Sequence, residues 1–384
     1  MTSSAALIQA TEKFAYWMQT YALPLWQQQG IEASSGASAE SMNEDGLAAF
    51  SLDRRTRVQA RQMFTFTAAY QQGWCSQGRE VVEGIQRYLD TYAQHPTYPG
   101  AYVFKLDPAH QVVDDSLDTY DCAFFLLAWA YQFSVFGDMQ AKARADQLLS
   151  LLDKQFKGKP AGWLEGSQGG TRRQNPHMHL FEAFLAWFEA SKDAKWLARA
   201  AEIFSLFELC FFDHRHGVLY EYFQQDLCPL SFAEGQVVEP GHHMEWVWLL
   251  RRYQSFTGAP VDDYCHTLYE RGLQFGQDSN GLLFDEVDNL GGVKKASKRL
   301  WTVTELIKAH LAEARHGRPG AELAAAEAIE ALFNQHLNTA VCGFYIERLD
   351  NHNQPLAQQA PATSMYHLMM ACLEACQYQR DLLV

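Results

Sequence analysis

Apolar positions recur along this chain at i, i+3, i+4 and i+7, the spacing of a buried helix face, while strand-like alternation is short and rare. The pattern predicts helices near 5–28, 53–75, 78–94, 115–137, 139–157, 173–191, 193–210, 241–257, 261–276, 298–315, 320–335 and 361–379. The segments between them alternate in length. Those leaving the odd-numbered helices are long and rich in Gly, Pro, Asp and Asn, as in "HPTYPGAYVFKLDPAHQVVD" and "HLNTAVCGFYIERLDNHNQP". Those leaving the even-numbered helices are as short as "SKD", "TGAP" or "HGRPG". Twelve helices with that alternation are six hairpins. Six hairpins close into an all-α (α/α)6 barrel, with the even-numbered helices as its inner ring; an open superhelix is the competing arrangement. "GLLFDEVDN" and "GFYIERLDN" predict short strands inside the long loops. No linker interrupts the pattern, so residues 1–384 are expected to form a single domain.

Charge narrows the partners. With 31 Lys+Arg against 45 Asp+Glu the net charge is −14, and no basic cluster with interleaved aromatics relieves it. Nucleic acid and anionic membrane are therefore not expected as partners. The opening "MTSSAALIQATEKFAYW" has no basic n-region followed by an apolar core, and no apolar stretch reaches the length of a membrane span. The eight cysteines are scattered without a C-x-x-C pair. A reduced, cytoplasmic compartment is expected. Monomer and homodimer both stay open.

Polar residues gather where the even-numbered helices begin. Arg57 and Arg61 lie in "RRTRVQARQMF", and Tyr120 and Asp121 in "SLDTYDCAFFLLAWAY". Asn175 and His179 lie in "RRQNPHMHLFEAFLAW", His242 and Glu245 in "EPGHHMEW", Trp301 and Glu305 in "KRLWTVTELIKA", and His367 in "TSMYHLMMACLEA". Arg57, Tyr120, His179, His242, Glu305 and His367 are spaced by 63, 59, 63, 63 and 62 residues. In a closed ring they would meet at one mouth, where six positive helix ends converge on a pocket.

"EPGHHMEW" shows how such an end is built. Pro240 and Gly241 suit a helix entrance. His242 and Glu245, three apart, share a face, and His243 projects about 100° away as a bystander. The positive helix end is expected to lower the His242 pKa and leave a neutral imidazole tuned by Glu245.

Two imidazoles titrating near neutrality suit removal and return of a proton at a carbon next to a carbonyl. An arginine would stabilise the enediolate oxygen, and an aromatic face would stack on a sugar. That chemistry is aldose–ketose isomerisation or 2-epimerisation of a monosaccharide. A zinc site assembled from separate helices competes, but His177 and His179, two apart, point away from each other. Neither metal nor cofactor is expected. No glycine-rich phosphate loop or G-x-S-x-G motif occurs. A helical scaffold that binds a peptide in its concave face is the non-enzymatic alternative.

Six segments in order, "VQARQ", "YDCAFFLLA", "RRQNPHMHLFEAFL", "EPGHHMEW", "LWTVTELIKA" and "YHL", resemble the N-acylglucosamine 2-epimerase superfamily, and most of all its bacterial mannose isomerases. The resemblance spans nearly the whole chain. It implies an (α/α)6 barrel, no metal, and two catalytic histidines acting through a ring-opened sugar and a cis-enediol. Those histidines are His242 and His367, oriented and polarised by Glu245 and Glu305. Arg57 or Arg61, with Tyr120, Asn175, His179 and Trp301, would hold the sugar. The single tryptophan in "LWTVTE" departs from the double tryptophan of cellobiose epimerases. Mannose–fructose isomerisation is thus the expected activity, with 2-epimerisation of mannose, an N-acylglucosamine or cellobiose as the alternative.

Overall fold

Helices that are apolar on every side must be surrounded by other helices, and here they alternate with amphipathic ones. The computed structural model describes residues 3–382 other than 232 and 357. Among them are twelve helices. α1 is Ser3–Trp17, carried through a π turn at Met18–Ala22 into Leu23–Gln29. There follow α2 (Thr56–Gln71), α3 (Gly78–Tyr92), α4 (Thr119–Phe136), α5 (Met139–Gln155) and α6 (Gln174–Ser191). Next come α7 (Ala194–Leu206, ending in a π turn at Phe207–Phe211), α8 (Pro240–Thr257) and α9 (Asp262–Gly276). α10 (Leu300–Arg315), α11 (Ala321–Leu332, with a π turn at Phe333–Leu337) and α12 (Ser364–Leu382) complete the set.

The even-numbered helices form a closed ring: α2 packs on α4, α4 on α6, α6 on α8, α8 on α10, α10 on α12, and α12 back on α2. Closure rules out the open superhelix. Each outer helix lies on the inner helix before it, with α1 on α12. The division of labour follows burial. Every residue of α10 from Leu300 to Glu313 is buried. α3 buries Val82, Ile85, Tyr88 and Leu89 while Arg79, Glu80, Glu83 and Arg87 face water. Each such apolar side chain contributes roughly 1.5–3 kcal/mol when buried, so the inner ring is held by packing on both its faces. No described helix is long and apolar enough to cross a membrane.

The short turns have a simple chemistry. Gly137, in the left-handed region at φ 66°, ends α4, and Asp138 caps α5 by accepting from the Gln140 and Ala141 N–H groups. Lys192 (φ 57°) and Asp193 repeat the device between α6 and α7. Two residues thus stop one helix and start the next.

The long loops are stitched by antiparallel ladders. Arg54–Arg55 pairs with Lys105–Leu106, Arg172–Arg173 with Tyr222–Phe223, and Lys298–Arg299 with Arg348–Leu349. Ser41–Asn43 pairs with Gln359–Pro361, tying the first loop to the last. Strands Glu286–Asp288 and Arg348–Leu349 fall in the two segments that predicted them. The same ladders explain the main boundary differences. Helices predicted from 53 and 298 begin at Thr56 and Leu300 because the residues before them are drawn into strand pairs.

Buried histidines pin these loops to the barrel. The His177 Nε2 accepts from the Trp163 N–H (3.0 Å) and the His243 Nε2 from the Leu219 N–H (2.9 Å). The His336 Nδ1 lies 2.7 Å from the Ile346 carbonyl. Burial pushes their pKa values down, to about 4 for His177, about 3 for His243 and about 4 for His336. They are neutral in the folded chain but titrate near 6.5 when it unfolds. Their contribution to stability is complete above pH 6.5 and is lost as pH falls from there toward 4, at roughly 1.4 kcal/mol per unit for each. Melting followed by circular dichroism should be level above pH 6.5 and drop steeply below it. His243→Gln, which keeps an acceptor for Leu219, should have a shallower acid drop. Equal slopes for the two proteins would refute this role for His243.

Candidate active site

Four inner helices, α2, α6, α8 and α10, start from Arg55, Arg173, Glu239 and Arg299 in extended conformation, with no side chain capping the first turn. Carboxylates on the long loops meet these positive ends instead. Glu40 accepts from the Arg55 N–H (3.1 Å), Glu165 from the Arg173 N–H (2.7 Å) and Glu221 from the Glu239 N–H (3.4 Å). A negative group at a helix N-terminus is stabilising, so the loop acids fix the mouth of the barrel and charge it.

Inside that mouth lies a cavity of about 190 Å³. Eight of the residues expected at the site line it: Arg61, Tyr120, Asn175, His179, His242, Glu245, Trp301 and His367. Arg57 does not. One turn nearer the loops, it is drawn to Asp121 at 3.0 Å, whose buried carboxyl, pushed up to about 7 by desolvation, needs a countercharge. Arg61 is the arginine that faces the cavity. It donates to the Tyr120 hydroxyl (2.7 Å) and the Thr363 carbonyl (3.2 Å), neither of them charged. Glu305 also lies off the cavity wall, fully buried beneath His367.

His242 is built differently from the expectation. Its Nδ1 lies 2.9 Å from Glu221 Oε2, while Glu245 stands 3.7 Å from the His179 Nδ1. Gln174 holds Glu221 in place, donating to Oε2 at 2.9 Å, and is itself held by the Trp246 indole N–H at 2.8 Å. Burial pulls the His242 pKa down, but the charges of Glu221 and Glu239, with a smaller share from Glu245, outweigh it and push it up to about 9. The imidazole is therefore a cation at neutral pH, the reverse of what the helix end alone predicts. Glu245 is a weak partner because burial and the neighbouring Glu305 push its own pKa well up. The Asn175 amide nitrogen sits 3.3 Å from the His242 Nε2, and its carbonyl oxygen is buried without a partner.

His367 has the opposite poise. Its Nδ1 is 2.9 Å from Glu305 Oε1. Burial, with the cations of Arg61 and Lys308, pushes its pKa well below the usual imidazole value. It stays neutral and basic. Trp301 stands between the two rings, 5.0 Å from His242 and 5.9 Å from His367 between centroids. Gly241 makes room for it, since a Cβ there would lie 2.6 Å from the indole. That accounts for "PGHH" at this helix start. His179 donates to Glu182 (3.3 Å) and, buried near Arg61, is pushed down to about 4.

A larger cleft, of about 630 Å³, opens among the loops beside Asp118, Glu165, Arg173 and Tyr222. It is lined by no histidine, and Arg173 is committed to Glu165 at 2.7 Å. The histidines gather at the smaller cavity. Among the described residues two donor sets have the spacing of a metal site, Glu221–Glu239–His242 and His179–Glu182–Glu245. Protonation of His242 works against the first, and the nearby Lys308 ammonium against the second.

A closed helical barrel with paired histidines at its mouth meets a sequence match over the same span: the model of the family described as N-acylglucosamine 2-epimerase (GlcNAc 2-epimerase) fits residues 37–371. The chain belongs to the N-acylglucosamine 2-epimerase family. A relative, the mannose-6-phosphate isomerase of Rhizobium meliloti (strain 1021), is 34% identical over 381 residues, 96% of each chain. The solved cellobiose 2-epimerase of Spirochaeta thermophila DSM 6192 has the same fold, with a TM-score of 0.88 at 19% identity over 100% of both chains. A crystal structure of a D-mannose isomerase gives a TM-score of 0.84 at 20% identity, covering 94% of this chain and 96% of that one.

Several residues in or behind this cavity went unread in the sequence: Glu221, Glu239, Arg299, Glu347 and Lys308. A signal existed for some. Glu40, Glu221, Asp285 and Glu347 each follow a loop glycine by four residues, at Gly36, Gly217, Gly281 and Gly343. Replacing Glu221 by Gln removes the main attraction that keeps His242 protonated. The His242 imidazole, followed by NMR, should titrate near pH 9 in the wild-type chain and at least one unit lower in Glu221→Gln. An unchanged midpoint would exclude Glu221 as the cause.

Proposed function

We propose that the chain is an aldose–ketose isomerase that interconverts D-mannose and D-fructose without a metal. The observation that carries this reading is the pair of imidazoles at one small cavity with pKa values pushed in opposite directions, an arrangement that separates an acid from a base. His242, as the cation, donates a proton to the ring oxygen as the C1–O5 bond breaks and takes back the C1 hydroxyl proton, leaving the open-chain aldehyde. Neutral His367 removes the C2 proton, giving a cis-enediol whose developing oxygen charge is met by Arg61. His242 carries the proton between O1 and O2. His367, its proton exchanged with solvent while the enediol persists, then protonates C1, which yields the ketose. Glu305 orients His367, Glu245 serves as a neutral hydrogen-bond donor, and Tyr120, Asn175, His179 and Trp301 hold the sugar.

Isomerisation fits the poise better than epimerisation. An epimerase working in both directions exchanges acid and base between its two histidines, and matched pKa values serve that exchange. Here they are far apart, and one carbon base suffices. The cavity supports a single sugar: about 190 Å³ is below the roughly 300 Å³ at which pockets for larger ligands begin. It also supports an unphosphorylated one. Glu239 and Glu347 line it, and Arg299 on the same wall is already bound by Glu239 (2.6 Å) and Asp285 (2.9 Å). A phosphoryl dianion would face carboxylates.

Incubation with mannose in D₂O, in the presence of chelator, should give fructose with deuterium at C1 and at least tenfold less turnover of mannose 6-phosphate. His367→Asn should lose both product and exchange by about 10²–10⁴-fold. Glucose as the main product would replace this reading with 2-epimerisation, and activity restored only by a divalent ion would reject the metal-free mechanism.

A further inference from the structure

Beneath the cavity floor lies a buried lysine that reaches the proton relay only through Glu305. Lys308, on α10, is completely buried, with Nζ 2.5 Å from Glu305 Oε2 and 3.7 Å over the Trp248 ring. The other oxygen of Glu305 is the one that meets His367 Nδ1 at 2.9 Å. A buried ion pair adds little stability over apolar side chains of the same size, so packing alone does not explain a lysine here.

We propose that Lys308 is a positioning residue that fixes which nitrogen of His367 carries the proton: its ammonium keeps Glu305 a carboxylate, and that carboxylate keeps the His367 proton on Nδ1. The imidazole nitrogen opposite, Nε2, is then free to act as a base on the cavity side. The surrounding groups make the ammonium necessary. Glu305 is faced by Glu245 from α8, by Glu182 and His179 from α6, and by His367 from α12, with Arg61 of α2 beyond His367. Tyr366 of α12 donates to Glu182 at 2.5 Å. Three carboxyl groups therefore share one lysine. Burial pushes Glu305 up and Lys308 opposes it. Without the ammonium, Glu305 takes a proton from solvent and becomes a neutral acid. Its new O–H then hydrogen-bonds to Nδ1, whose own proton leaves as Nε2 takes one up, so the ring stays neutral with its single proton on Nε2. The nitrogen facing the sugar is no longer basic.

The catalytic consequence rests on the isomerase reading above, but the tautomer does not, and the experiment separates the two. In ¹⁵N-histidine-labelled full-length protein near pH 7.5, His367 should be the Nδ1–H tautomer, and Lys308→Met should convert it to Nε2–H. In the same variant the acid limb of the kcat profile for mannose should move up by at least one pH unit, with KM within about twofold. Lys308→Arg, which keeps the charge, should restore the wild-type profile. If Lys308→Met does not fold, Lys308→Gln serves the same comparison. A His367 that keeps its proton on Nδ1 without the lysine overturns the proposal whatever the substrate proves to be. A tautomer switch in a protein inert toward mannose overturns only the isomerase reading.

Discussion

Everything at the mouth of this barrel depends on how buried carboxylates are matched with cations. Taken out of water, a carboxylate must find a positive partner or a proton. Glu221 and Glu239 find His242, and so make it a cation. Glu305 finds Lys308, and so can accept from His367 without charging it. Glu245 finds no full partner, and burial beside Glu305 pushes its pKa well up. Two histidines on the inner helices either side of α10 thereby differ in charge because the acids behind them are neutralised differently. A site with the same two imidazoles and unpaired acids would hold two similar groups instead.

The fold makes that matching possible. Closing six inner helices into a ring brings their positive ends together and seals the space between them from solvent, which strengthens every charge interaction there. Long loops are needed to bring carboxylates back over the helix ends, and short ladders such as Arg172–Arg173 with Tyr222–Phe223 hold those loops in register. Glu221 lies at the edge of that ladder, and His243 fastens the same segment through the Leu219 N–H. The bystander beside the catalytic candidate is therefore part of what aims Glu221 at His242.

Much of this was legible in the chain. Helical spacing and the alternation of loop lengths carry the barrel, because both follow from local rules about burial and turns. The near-regular recurrence of polar residues at even-numbered helix starts leads to eight of the cavity residues. It fails by one turn at Arg57, since both Arg57 and Arg61 lie on one face and only tertiary pairing with Asp121 decides between them. It fails for the His242 partner for a related reason. Spacing along a helix shows Glu245 beside His242, but Glu221 comes from a loop 21 residues away, and no helical period reports a contact of that kind. The sign of the His242 shift was lost with it, because a helix end is a weaker influence than a carboxylate at hydrogen-bond distance. Lys308 was hidden for the opposite reason: inside an apolar helix, a lysine three residues after a glutamate reads as a surface pair.

The most direct test is to see the protons. Neutron diffraction from crystals of the deuterium-exchanged protein near pH 7.5 locates the deuterons on both imidazoles. His242 should carry two, one directed at Glu221, and His367 should carry one, on Nδ1 toward Glu305. A singly deuterated His242, or a doubly deuterated His367, would contradict the opposed charging on which the proposed mechanism stands.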